Sequence, residues 1–82
     1  MNNSGTIEIV NGYKFNWFIS EHGELFGEVG GTLRLRGYAG FTPQQASERA
    51  EEQLVSSGIV HMEDVSDEWR EEHPEVRGYG NG

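Results

Sequence analysis

The sequence predicts an α+β domain: an antiparallel sheet of three or four strands, one face covered by a main helix, with a short acidic helix at the C-terminal end. Three observations carry this reading. Apolar and polar residues alternate through the first half of the chain. Asn-Gly and Gly-Gly pairs punctuate that alternation. At Phe41 the period changes, and Thr42-Pro43-Gln44-Gln45 opens a run whose apolar residues recur every four positions.

Residues 1–5 are polar and are expected to be frayed. Thr6–Val10 is a short run of β-formers, followed by Asn11-Gly12. Asn-Gly between β-formers is a strong hairpin signal, because a type I′ turn needs positive φ at both central positions. In Tyr13–Ser20, Tyr13, Phe15, Trp17 and Ile19 form one apolar face; the other face is polar except for Phe18. Glu21-His22-Gly23-Glu24 reads as a second turn. Leu25–Val29 reads as a strand in which Gly27 weakens the element or marks a bulge. Gly30-Gly31 turns the chain again. In Thr32–Tyr38 simple alternation sets Leu33 and Leu35 on one face, and Thr32, Arg34 and Arg36 on the other.

The main helix is expected over Pro43–Ser57. Thr42 can cap it, Pro43 suits its first position, and Gln45 completes a capping box. Ala46, Ala50 and Leu54 lie on one face, a narrow stripe of mostly small residues that lets the helix sit close to the sheet. Gly58 is placed to end the helix and bring Ile59 back onto Leu54. Ile59–Met62 reads as a last short strand or an extended return. Ser66 can cap a second helix over Asp67–His73, which Pro74 ends. Residues 6–73 are expected to form one domain, with residues 74–82 as a flexible tail.

The chain has 82 residues, 34% of them hydrophobic. A domain of this size buries only about 60% of the surface its unfolded chain exposes. Aromatics make up 11%, and seven fall between Tyr13 and Phe41, which reads as the core. There is no cysteine, hence no disulfide and no thiolate metal site. The N-terminus lacks the basic and apolar regions of a signal peptide, and no apolar run reaches the roughly 18 residues of a membrane span. These features point to a cytoplasmic protein, in the host cytoplasm if phage-encoded.

Charge is the most informative feature. The net charge is −8, and the first 45 residues hold four acids against three bases. From Glu63 to Glu75 there are seven acids (Glu63, Asp64, Asp67, Glu68, Glu71, Glu72 and Glu75) and one arginine, a net −6. Glu48, Glu51 and Glu52 add to it from the main helix. Such a field repels nucleic acid and anionic membrane and attracts basic protein surfaces. It reads as a docking surface that competes for the cations a phosphate backbone would use, or as a solvated face. Trp69, the large apolar residue of the acidic segment, reads as a core plug or as an interface anchor.

Catalytic and metal-binding signals are absent from the sequence. The serines show no nucleophile elbow, and the glycine pairs lack the Lys-Ser/Thr of a phosphate loop. His22, His61 and His73 are far apart. No motif implies a cofactor. Arg34 and Arg36, with Lys14 across the sheet, read as a small anion patch or, preferably, as partners of cross-strand glutamates such as Glu8 or Glu28.

Gly40, Phe41, Thr42, Pro43, Gln44, Gln45 and Ala46 resemble the junction before the helix of the HicB-type antitoxin module, in which strands lead through a Gly-aromatic and a Thr to an Ala-bearing helix. Over residues 13–58 that resemblance implies a β-β-β-α module pairing with a small basic toxin. The overall profile, short, cysteine-free and acidic, also resembles the small phage proteins used against host defence, the anti-CRISPR proteins among them. That implies stoichiometric, non-enzymatic inhibition of a nucleic-acid-binding host complex. A phage or bacterial structural or assembly factor is a third reading. An unpaired edge at Thr6–Val10 makes a homodimer by strand addition a further expectation.

Overall fold

The computed structural model describes residues 3–76. It is an α+β fold with a four-stranded antiparallel sheet in the order β1-β2-β3-β4: β1 Ser4–Glu8, β2 Lys14–Ile19, β3 Leu25–Val29 and β4 Leu33–Gly37. Two helices follow, α1 Pro43–Ser56 and α2 Asp67–Glu72. β1 begins at Ser4, so Ser4 and Gly5 are ordered strand and not the frayed end expected of them. Their register partners are Phe18 and Trp17. Pro74, Glu75 and Val76 turn back on the domain, Val76 N–H donating to the His73 carbonyl at 3.1 Å and its side chain packing at the rim of the core. The rest of the expected tail, 77–82, lies outside the described residues.

The first hairpin departs from a two-residue turn in an instructive way. Asn11 has φ 55° and Gly12 φ 81°, the positive values that Asn-Gly favours. Yet Val10 also leaves the strand. Ile9 N–H donates to the Tyr13 carbonyl at 2.7 Å, so three residues, Val10–Gly12, form the loop. The extra residue sets which side chains face the core. It pairs Ile7 with Phe15; a two-residue loop would pair Glu8 with Phe15 and turn every β1 side chain over.

On the core side of the sheet lie Ile7, Phe15, Trp17, Ile19, Leu25, Gly27, Val29 and Leu33. Phe15 is fully buried. The tip of its ring occupies the space above Gly27, where a Cβ would stand 2.2 Å from Phe15 Cζ. Gly27 is therefore glycine because of a ring, although the bulge expected near it does occur, displaced onto its partner. Val29 pairs with Leu33, but Gly27 pairs with Arg36, so Arg34 and Leu35 together stand opposite Glu28. The bulge separates residues that alternation placed together. Leu33 faces the core, whereas Leu35 is 52% exposed on the outer face. Arg36 turns to the helix side and donates to Gln53 Oε1 at 2.9 Å. Neither Arg34 nor Arg36 forms an ion pair with Glu8 or Glu28.

α1 covers the sheet over β2 and β3. Its capping box is complete: Gln45 N–H donates to Thr42 Oγ1 at 3.2 Å, and Thr42 N–H donates to Gln45 Oε1 at 3.0 Å. Ala46, Ser47, Ala50, Leu54 and Val55 are buried, the Ser47 hydroxyl donating to the Gln44 carbonyl at 2.7 Å. After the helix Gly58 takes φ 85°. The residue that returns to the core is Val60 rather than Ile59: Val60 N–H donates to the Leu54 carbonyl at 3.0 Å, and Ile59 stays exposed. The return is not a strand. It contains a single 3₁₀ turn, Met62–Asp64, and leads through buried Val65 to α2.

Of the aromatic cluster, Tyr13, Phe15, Trp17 and Tyr38 serve the core, Phe15 meeting Tyr38 edge to face at 5.6 Å. Phe18 and Phe26 do not: they stack on each other at 5.4 Å on the outer face.

Gly27→Ala forces the methyl into the Phe15 ring and is expected to cost about 1–3 kcal/mol, read as a lower midpoint in thermal or urea unfolding. Gly30→Ala, which meets nothing within 4 Å, is the control and is expected to leave the midpoint nearly unchanged.

Candidate functional site

α2 is built from the acidic segment. Ser66 caps it, its Oγ accepting from Trp69 N–H at 3.2 Å. Asp67 and Glu68 then sit in the first turn, where the helix dipole favours negative charge. At roughly 100° per residue, Asp67, Glu68, Glu71 and Glu72 sweep one broad arc, and Trp69 falls outside it. The consequence is visible in burial. Trp69 is 8% exposed and belongs to the core, while Asp67, Glu68, Glu71 and Glu72 are exposed. Trp69 is therefore a plug and cannot serve as an exposed anchor: a chain with this little apolar area places its largest ring inside.

Glu63 and Asp64, in the 3₁₀ turn, and Glu75, beyond α2, are also exposed, so all seven carboxylates from Glu63 to Glu75 are in solvent. Arg70 is turned to Asp67, with which it forms an i,i+3 ion pair. On α1, Glu48 is exposed, and half-buried Glu52 lies 3.8 Å from the Arg49 guanidinium. Glu51 is the exception among the ten acidic residues expected to act at the surface. It points inward, half-buried, toward the Trp69 indole N–H and the Val10 amide. Burial pushes its pKa above the ordinary carboxylate range, with Glu48 adding to the rise. The Trp69 and Val10 donors and the charge of His73 pull the other way. The Trp69 Nε1–H closes no hydrogen bond of full geometry, so the indole approaches the carboxylate without satisfying it fully.

His73 completes this joint. Its ring stacks on Trp69 at 4.0 Å, and its Nδ1 lies 2.9 Å from the Trp69 carbonyl. The i,i+4 spacing of Trp69 and His73 is the sequence signal for this stack; the approach of Glu51 has none, because it depends on where Val10 leaves its strand.

A cleft of about 660 Å³ opens between the end of β4 and α1. Arg36 lies over the Tyr38 ring at 5.5 Å and Arg49 over Phe41 at 5.6 Å, with Gln53, Glu52 and Glu75 around them. Its charges are mixed, two guanidiniums and two carboxylates. Glu75 is thus brought beside β4 and α1, at the far end of the acidic segment from Glu63. Among the described residues no three His, Cys, Asp or Glu side chains converge to hold a metal ion, and no helix is long and apolar enough to cross a membrane.

A carboxyl whose folded pKa is raised binds its proton more tightly folded than unfolded, so stability falls as pH rises from the ordinary carboxylate range through the raised value. Glu51→Gln is therefore expected to melt above the parent at neutral pH. The gap should close as pH falls below the ordinary carboxylate range. Melting curves of both chains between pH 3.5 and 7.5 check this; equal melting temperatures throughout would remove Glu51 as a strained group. The chain matches no protein-family model, no curated protein and no solved structure.

Proposed function

We propose that this chain is a non-enzymatic binding protein that docks its acidic C-terminal layer on a basic, nucleic-acid-binding surface of another protein, acting as an inhibitor of the anti-CRISPR type. The observation that carries this reading is that all seven carboxylates from Glu63 to Glu75 are exposed, while Trp69 fixes the segment to a folded surface. An acidic tail without such an anchor would lose much of its Coulomb energy to the entropy of holding a flexible chain in place. Here the charges of α2 are held in a fixed arc before any partner arrives. Glu63, Asp64, Asp67, Glu68, Glu71, Glu72 and Glu75 form the docking surface, with Glu48 and Glu52 at its margin. Glu51 and Trp69 act from beneath, as the joint that holds it.

Tagged protein is expected to retain a nucleic-acid-binding protein from host lysate, in the presence of nuclease at low salt, and to release it at high salt. Replacing the exposed Glu68, Glu71 and Glu72 by Gln is expected to leave the fold intact and to weaken that complex by at least about tenfold. A complex indifferent to salt and to the three substitutions would overturn the reading. A salt-resistant complex with a small basic partner would instead favour the antitoxin-like alternative.

A further inference from the structure

The two edges of the sheet are not equivalent. β4 is guarded: it carries a bulge, and its strand includes Arg34 and Arg36. Among the described residues β1 has no bulge, proline, lysine or covering loop, devices that commonly protect an edge. It runs through five consecutive register pairs with β2, and its charged residue is Glu8 alone.

The hydrogen-bond phase of β1 follows from its two ends. Ile19 N–H donates to the Asn3 carbonyl and Ile9 N–H to the Tyr13 carbonyl, both at 2.7 Å. The pairs that bond across this ladder are therefore those of Asn3, Gly5, Ile7 and Ile9. The main-chain groups of Ser4, Thr6 and Glu8 point away from β2. These three residues are exposed, and among the described residues no turn, loop or cap hydrogen bond uses their N–H or carbonyl groups.

We infer that β1 pairs antiparallel with β1 of a second copy of this chain, about a twofold axis at Thr6, giving a continuous eight-stranded sheet. The strand is self-complementary in that register. Thr6 stands opposite Thr6 of the second copy, and Ser4 opposite its Glu8. All three outward residues then fall in bonded pairs, which closes six main-chain hydrogen bonds with no like charges opposed. On the helix side, Ile7 of one copy falls opposite Gly5 of the other. Trp17 lies against Gly5, where a Cβ would stand 2.9 Å from its ring. Ile7 and Trp17, both half-buried, would thus cover each other across the axis.

The charge distribution suits a second copy. β1 itself brings only Glu8 to the junction, where it falls opposite Ser4 of the second copy. Repulsion between two chains of net −8 is screened by salt. Association of copies should tighten as salt rises, the reverse of the salt dependence expected for the acidic surface. Failure of one reading therefore leaves the other standing.

Sedimentation velocity over a hundredfold range of concentration tests the dimer, and amide hydrogen exchange tests its register. The mass is expected to double. Exchange of the Ser4, Thr6 and Glu8 amides should slow by at least about tenfold with concentration, whereas Gly5 and Ile7 are protected throughout. Thr6→Pro removes an outward N–H that β2 does not use and is expected to return the chain to monomer with its fold retained. Phe18→Ser, on the outer face, should leave the dimer unchanged. A chain that stays monomeric at millimolar concentration overturns the inference. So does fast exchange at Thr6 in a dimer, or a dimer that persists in folded Thr6→Pro.

Discussion

The ring of Phe15 reaches across Gly27 and meets Tyr38, and this one contact governs the thickness of the protein. With the ring lying over β3, little depth remains between sheet and helix. A helix that closes over it benefits from small residues, and α1 buries Ala46, Ser47 and Ala50 together with Leu54 and Val55. A chain of 82 residues cannot make a deep core. It makes a shallow one, in which a missing side chain at position 27 matters as much as the large one at position 15.

Much of this was legible because local signals agreed with one another. Thr42, Pro43, Gln45 and Gly58 mark the two ends of α1, each by its own chemistry, and Ser66 with Pro74 brackets α2 in the same way. What escaped the sequence was register. Val10 reads as the last residue of a strand, and nothing local says that it must step out to keep Ile7 beside Phe15. Arg34, Leu35 and Arg36 read as simple alternation, and the bulge appears only in their register against Gly27 and Val29 on the neighbouring strand. Two features on the helix side of the sheet follow from these shifts. Glu51 reaches Val10 because Val10 has left β1, and Arg36 reaches Gln53 because the bulge turns it over. Composition located the acidic segment but carried no information about which carboxylate would face inward.

The layout separates two kinds of surface. The acidic residues of the second half, apart from half-buried Glu51 and Glu52, face solvent around α1, α2 and the turn between them. The outer sheet face carries mixed charges, Glu8, Lys14 and Glu28, around the stacked Phe18 and Phe26. Trp69 links the two halves of the design, since it is at once the base of the acidic arc and the last large side chain of the core. A change beneath α2 is therefore felt at the charged surface without any charge being touched.

The strand order has a consequence for how the chain finds this structure. Every strand pairs with its neighbour in sequence, and each hairpin closes over a three-residue loop, so little loop entropy opposes the growth of the sheet. The distant step is the arrival of Trp69 beside Val10, near opposite ends of the chain. The sheet and α1 can assemble early from nearby contacts, and the acidic layer takes its place only when that last long loop closes.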